Sequence, residues 1–213
     1  VGKGTQADFI TKKYKTCQLS TGNVFRAAKN ATGELLTAAM REAVDVMQQG
    51  KLVPDETVVE MVRERCDCLT CGFGFILDGF PRTVDQAKAL EDMLTELRVQ
   101  LDAVLDFQLD EEEVIRRLSG RRTCRKCQAT FHLLFGPPKE EGICDKCGGE
   151  LYQREDDLPD SIRMRLKMYH ESTAPLSEYY REQGLLIEIS AEGTPKDVFE
   201  RADAAIQERF LND

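Results

Sequence analysis

Hydrophobic and polar positions along this chain follow two rhythms, one helical and one suited to short buried strands. From about Ala7 to Lys13 the spacing is helical, and Cys17-Gln18-Leu19-Ser20 reads as a short strand. Ser20-Thr21-Gly22-Asn23 then supplies capping and turn chemistry for a helix through Phe25 to Lys29. Glu34 to Gln49 carries Leu35, Leu36, Met40, Val44 and Met47 at helical spacing and stops at Gly50. Pro54-Asp55 opens another helix, with Val58, Val59, Met61 and Val62 on its apolar side. Phe73 to Asp78 is a continuous apolar run ending in a carboxylate, as expected of a buried parallel strand. Thr83 and Gln86 have the spacing of a capping box for a helix to about Arg98. Ala103 to Leu109 is a second buried run, and Asp110 caps a helix ending near Arg122.

There the rhythm breaks. Thr123 to Tyr152 holds four cysteines, Gly and Pro pairs, and a short β-like run, Ala129-Thr130-Phe131-His132. Helical periodicity returns from Ile162 to about Arg181. Leu185 to Ile189 reads as a strand, and Thr194-Pro195 opens the last helix with Pro at its first position. Strand and helix alternate on both sides of the cysteine segment. That pattern predicts a doubly wound α/β core with a parallel sheet, interrupted by an insert.

Composition narrows the function. A chain of 213 residues can bury a proper core as one domain, or as one domain with an insert. A net charge of −9 argues against a broad basic face for polymeric nucleic acid. No apolar run approaches the ~18 residues of a membrane span. The eight cysteines include the C-x-x-C pairs at 124/127 and 144/147, a metal pattern more than a disulfide framework, which points to a reducing, intracellular compartment.

Two motifs carry chemistry. Gly2-Lys3-Gly4-Thr5-Gln6, running straight into a helix, is the back half of a phosphate-binding loop. Backbone N–H groups there can curl around phosphate oxygens, the helix end adds a positive dipole, and Lys3 can reach the β- and γ-phosphates. Cys124-x-x-Cys127 and Cys144-x-x-Cys147, with sixteen residues between them, form a four-cysteine zinc pattern; disulfides or free thiols are the alternatives. Four thiolates would fill a tetrahedron, so such a site is structural and would fold a segment too small for its own core. Cys66, Cys68 and Cys71 form a second, looser group, read as ordinary thiols with a second metal site as the alternative, and Cys17 reads as core. His132 and His170 are isolated and read as structural.

The sequence resembles the adenylate kinases, P-loop nucleoside monophosphate kinases, of the long zinc-binding lid type. The matching stretches are Gly2-Lys3-Gly4-Thr5-Gln6, Leu19-Ser20-Thr21-Gly22-Asn23-Val24-Phe25-Arg26, Gly50-Lys51-Leu52-Val53-Pro54-Asp55, Gly74-Phe75-Ile76-Leu77-Asp78-Gly79-Phe80-Pro81-Arg82-Thr83, Gly120-Arg121-Arg122, Arg154-Glu155-Asp156-Asp157 and Arg163-Met164-Arg165-Leu166. They run through the chain in the family's order. The resemblance implies Mg²⁺-dependent transfer, ATP + AMP ⇌ 2 ADP, by a cytoplasmic monomer. It implies a core at 1–122 and 158–213, with an AMP-binding helical part at about 21–54, and a zinc-ribbon lid at 123–157. Other nucleotide kinases (GTP:AMP or UMP/CMP) and an inactive zinc-ribbon scaffold are the alternatives.

Phosphoryl transfer needs two polyanions held in line, their charge neutralised and water kept out, so arginines should outnumber acid–base groups. By resemblance, Lys3, Arg82, Arg121, Arg154 and Arg165 serve the transfer. Gly2, Lys3, Gly4, Thr5, Arg117 and Arg121 would hold ATP, with Arg117 facing the adenine. Thr21, Arg26, Val53, Gly79, Arg82, Gln86, Arg154 and Arg165 would hold AMP. Thr21 and Gln86 also suit helix capping. Asp78, at the carboxyl edge where α/β sheets bind ligands, suits a water ligand of Mg²⁺. The family's strand order is 2-3-1-4-5, and its central strand 1 has no counterpart among these 213 residues. The chain is therefore expected to be part of a longer one and to be unstable and inactive alone, because a sheet without its central strand leaves rows of unpaired backbone groups.

Overall fold

The computed structural model describes residues 2–30, 36–48, 53–65 and 69–211, the side chains of 26–30, 47 and 48 excepted. The expected helix start at Glu34-Leu35 and stop at Gly50, together with Lys51, Leu52, Cys66 and Cys68, fall outside these residues, as does the side chain of Arg26.

The elements run α1 (Lys3–Tyr14), β1 (Cys17–Ser20), α2 (Thr21–Asn30), α3 (Ala38–Gln48), α4 (Asp55–Arg63), β2 (Phe75–Asp78), α5 (Val84–Leu97), β3 (Val104–Gln108) and α6 (Glu111–Ser119). Then come β4 (Arg121–Cys124), β5 (Thr130–His132), β6 (Leu151–Tyr152), α7 (Pro159–Met168), α8 (Pro175–Glu182), β7 (Leu186–Ser190) and α9 (Pro195–Leu211).

Local chemistry explains most boundaries. The Thr83 hydroxyl accepts from Gln86 N at 3.1 Å and starts α5. Asp110 accepts from Glu112 N at 2.8 Å and starts α6. Thr37 Oγ1 accepts from Met40 N at 3.3 Å, so α3 begins at Ala38 and Leu36 precedes it. Three expectations are corrected. The helix expected to reach Arg122 ends at Ser119, because Arg121 and Arg122 pair with His132 and Phe131 across β4 and β5. The helical stretch from Ile162 to Arg181 is two helices joined by a π turn at Tyr169–Thr173. Pro175 has no N–H for a continuous α ladder, and Ala174 N bonds instead to Tyr169 O at 2.8 Å. Phe73, expected to open a buried strand, is 70% exposed in a turn closed by Gly74 N to Cys71 O; the strand starts at Phe75.

The sheet is not continuous among the described residues. β1 pairs with β2 and β3 with β7, both parallel, and no ladder joins the two pairs. This parallel pairing of strands separated by helices fits the expected α/β class. The residues of both pairs are mostly half-buried, not buried as expected. β5-β4-β6 is a separate antiparallel sheet. The largest apolar cluster packs Leu19 of β1 against Val58 and Val62 of α4 and Leu90, Met93 and Leu94 of α5. A second holds Ala87 of α5 against Leu176 and Tyr180 of α8. These clusters fix α4, α5 and α8 around the carboxyl ends of the strands, where the candidate site opens. Among the described residues no helix is long and apolar enough to cross a membrane.

Candidate active site

The site begins where α1 begins. Gly2 sits at its N-cap with φ 81° and ψ −4°, a left-handed conformation in which glycine carries no steric penalty. The first turn, Lys3-Gly4-Thr5, therefore presents backbone N–H groups and the positive dipole end to the cleft. Asp78, the last residue of β2, faces this turn: a Cβ on Gly4 would lie 3.8 Å from Asp78 Oδ2. Ser20, its partner across the ladder, donates its hydroxyl to that oxygen at 3.2 Å.

Lys3, Asp78, Arg82 and Arg165 share one electrostatic neighbourhood. Lys3 is reached by solvent, yet protein atoms crowd it on most sides of the cleft. This desolvation lowers its pKa; Asp78 opposes the shift, and Arg82 and Arg165 add to it. Arg82 is lowered in the same way, by crowding first and Arg165 second. A polyanion bound between these cations would offset their mutual depression.

Arg82 is aimed by the loop after β2. Its Nε donates to Gly79 O at 2.9 Å, its backbone N to Gln86 Oε1 at 2.8 Å, and its carbonyl accepts the Thr173 hydroxyl at 3.0 Å. Gly79 has φ 83°, and a Cβ there would stand 3.0 Å from Thr21 Oγ1 and 3.3 Å from Arg82 Nη2. Thr21 Oγ1 donates to Gly79 O at 2.9 Å. Gln86 is buried, and its Nε2 donates to Asp55 Oδ1 at 2.6 Å. Thr83 Oγ1 donates to the other Asp55 oxygen, also at 2.6 Å. Thr21, Gly79, Arg82 and Gln86 are thus one network, which Asp55 closes. Val53 packs between the α3 and α4 clusters beside it.

On the other wall stand Arg117, Arg121, Arg154 and Arg165. Arg117 donates to Glu113 at 2.7 Å and to the carbonyls of Ala191 at 3.0 Å and Gly193 at 3.3 Å. Its guanidinium lies 5.8 Å from the centre of the half-exposed Phe135 ring, and the His132 ring is 4.5 Å from that of Phe135. The His132 Nδ1 accepts from the backbone N of Leu134 and of Phe135, which folds the turn; a Cβ on Gly120 would collide with the imidazole. Burial lowers the pKa of His132.

Arg121 makes a two-pronged pair with Asp157, at 2.8 and 2.5 Å, and Asp157 is fully buried. Arg165 donates to Asp156 O at 3.1 Å and stands 3.9 Å from Asp157 Oδ1. Arg154 Nε donates to Thr123 Oγ1 at 2.8 Å. Two of the expected arginines, Arg121 and Arg165, thus meet on Asp156 and Asp157, for which the sequence suggested no role. Asp156, Asp157, Asp55, Ser20 and Phe135 were all missed; the acidic pair directly after Arg154 was the available signal. Cutting Asp157 to Ala leaves Arg121 partly buried without its main partner. That substitution should lower stability by about 3–5 kcal/mol. Calorimetric melting checks it, and a drop under about 2 °C contradicts the pairing.

Lys3, Asp78, Arg82, Arg117, Arg121, Arg154 and Arg165 line one cavity of about 3720 Å³. That is well above the ~300–1,000 Å³ of a single small-molecule pocket. It includes the gap between the two strand pairs.

The four expected zinc ligands also meet. Their sulfurs all lie within 4.8 Å of one another, with Cys124 and Cys147 at 3.5 Å and Cys127 and Cys144 at 3.6 Å. A tetrahedron with ~2.3 Å Zn–S bonds has sulfur–sulfur edges near ~3.8 Å, so the donor set fits zinc. The Cys127 N–H bonds to the Cys124 sulfur and brings that thiol down to about 6. Neighbouring thiols, Cys127 first, push Cys147 up to about 12. A cation among the sulfurs would remove that opposition. Gly149 leaves the room required, since a Cβ there would be 2.9 Å from the Cys124 sulfur.

A family model described as adenylate kinase matches residues 1–185. The chain is 48% identical over 207 residues to an adenylate kinase of Carboxydothermus hydrogenoformans, covering 97% of this chain and 94% of the relative. It is 46% identical over 206 residues to one of Archaeoglobus fulgidus, covering 97% and 93%. It is 47% identical over 207 residues to one of Streptomyces avermitilis, covering 97% and 92%.

Proposed function

This chain belongs to the adenylate kinase family, and from that membership we propose how its cleft moves a phosphoryl group between ATP and AMP. The enzyme is a nucleoside monophosphate kinase, a phosphotransferase that interconverts ATP + AMP and 2 ADP. The observation that carries the mechanism is the convergence of Lys3, Arg82 and Arg165 in one crowded space with Asp78. Fixed cations in a desolvated cleft stabilise the charge that spreads over the transferring group, and no general base is needed.

ATP binds with its phosphates on Gly2, Lys3, Gly4 and Thr5 and its purine near Arg117. The Phe135 ring beside that guanidinium offers the base a stacking face. AMP binds with its phosphate toward Arg26 and Arg82. Thr21, Val53, Gly79 and Gln86 hold its base and sugar, and Asp55 holds Gln86 in orientation. Arg121, Arg154 and Arg165 close over the group in transit. Asp78 would hold Mg²⁺ brought in with the nucleotide phosphates, and the ion would supply charge neutralisation there. Cys124, Cys127, Cys144 and Cys147 would hold zinc, which would supply structural cross-linking alone.

The core is residues 1–122 and 158–213, the AMP part about 21–54, and the lid 123–157. Pairs β1-β2 and β3-β7 correspond to strands 2-3 and 4-5 of the order 2-3-1-4-5, with the gap between them at position 1. One chain supplies both nucleotide sites, so the protein works as a monomer. Thiols that must stay reduced to bind zinc suit the cytoplasm.

A coupled assay over a panel of donors and acceptors tests the reading. ATP with AMP should give the highest kcat/KM, at least tenfold above GTP with AMP or ATP with UMP or CMP. A bisubstrate analogue joining two adenosines through phosphates should bind far more tightly than either nucleotide. Preference for another acceptor, or no gain from joining the nucleotides, would reject the assignment.

A further inference from the structure

Asp55 joins the starts of two helices. It stands in the first turn of α4, where a negative side chain suits the positive end of the helix dipole. Both its oxygens reach the start of α5. Oδ2 accepts the Thr83 hydroxyl and Oδ1 accepts Gln86 Nε2, each at 2.6 Å. The other end of the Gln86 amide is also taken, since Oε1 accepts from Arg82 N at 2.8 Å. Asp55, Arg82 and Gln86 all line the cavity.

These partners fix which way the amide points. A backbone N–H can only donate, and a carboxylate can only accept. Turning the amide over would set NH₂ against the Arg82 N–H and a carbonyl oxygen against Asp55, two mispairings at a buried residue. One lone pair of Oε1 and one hydrogen of Nε2 remain, and their order in space is set. An unrestrained glutamine flips to suit either of two opposite base edges; this one is held to a single edge.

We propose that Asp55 is a specificity-determining residue: with Arg82 N it locks the polarity of the Gln86 amide, and so selects 6-aminopurine over 6-oxopurine nucleoside monophosphates. This rests on the reading that Gln86 meets the AMP base. Adenine presents an N6–H donor beside the N1 acceptor, which match Oε1 and the free Nε2 hydrogen. Hypoxanthine and guanine present O6 beside N1–H, so each group meets its like and the site's own groups go unpaired. Asp55 is a positioning residue here, acting through Gln86.

The test is acceptor kinetics on the zinc-loaded full chain, with ATP as donor. The acceptors are AMP, IMP and purine riboside 5′-monophosphate, which keeps the N1 acceptor and has no group at C6. The lock predicts the order AMP, purine riboside monophosphate, IMP, with kcat/KM falling about tenfold or more at each step. An amide free to flip would make two bonds to IMP and one to the purine riboside, and IMP would rank second. That ranking is read on the parent and needs no variant to fold. Asp55→Asn keeps the shape of the side chain but can face Gln86 with oxygen or NH₂. The gap between purine riboside monophosphate and IMP should then shrink at least about fivefold, with the KM for AMP raised and that for ATP within about twofold of the parent. Gln86→Leu should bring all three acceptors within about threefold of one another. IMP ranking second in the parent, or an Asp55→Asn protein with the parent's gaps, would overturn the lock and leave the base contact standing. Equal rises in the KM for ATP and for AMP would make Asp55 a support of the fold and overturn the assignment. A Gln86→Leu protein with the parent's ranking would overturn the base contact itself, and the proposal with it.

Discussion

Lys3→Met should lower kcat/KM by about 10²–10³-fold while the protein melts at the same temperature or slightly higher. Removing one preorganised donor from a charge-stabilising site costs roughly 2.7–4 kcal/mol of transition-state stabilisation. In the proposed mechanism Lys3 is such a donor; it stands at the first turn of α1 within the field of Asp78, Arg82 and Arg165. Its effect on stability has the opposite sign. Crowding lowers its pKa in the folded protein, so between that value and 10.5 the unfolded chain binds the extra proton. Stability rises with pH across that window, and at neutral pH the folded protein is carrying a disfavoured charge. Methionine removes the charge and keeps the bulk. Initial-rate kinetics beside thermal melting separate the two effects. A loss below tenfold, or a rate loss matched by a lower melting temperature, would show that Lys3 supports the fold and not the transfer.

Stripping zinc should abolish turnover before the core melts. The apolar cluster of the cysteine segment, the proposed lid, is Cys124, Cys144 and Leu151 with a few partly buried neighbours, too little to hold a fold. Structural zinc contributes an apparent ~10–16 kcal/mol in small zinc domains, which no such cluster replaces. The loss reaches the chemistry through β4. Arg121 begins that strand and Cys124 ends it, and Thr123 between them holds Arg154. When the sulfur cluster opens, both guanidinium groups lose their frame. A zinc-selective chelator in excess Mg²⁺ should cut kcat more than 100-fold, with calorimetry showing a separate early transition and added zinc restoring the rate. Cys124→Ser should behave like the chelated protein. A single transition with turnover intact would contradict a lid that depends on its metal.

The local features were legible in the sequence. Thr83 and Asp110 cap α5 and α6 from within three residues, and the chain shows both as spacing alone. The two C-x-x-C pairs, the Gly-Lys-Gly-Thr turn and the carboxylate closing β2 were equally visible. Less visible were the breaks that depend on a partner elsewhere. Periodicity carries α6 through to Arg122, but pairing with His132 and Phe131 claims Arg121 and Arg122 for β4. It also carries one helix from Ile162 to Arg181, while a proline and a π turn divide it.

Sequence alone located most helices and core strands, the Gly-Lys-Gly-Thr turn, the four cysteines that meet and the arginines that line one cavity. Those follow from interactions spanning a few residues, where spacing decides which groups can meet. Only the tertiary structure decided what restrains the arginines: Asp157, 36 residues from Arg121, and Thr173, 91 residues from Arg82. Such pairs have no spacing rule, because the packing of α4, α5, α7 and α8 brings them together, and any of the chain's acidic or hydroxyl side chains could have served.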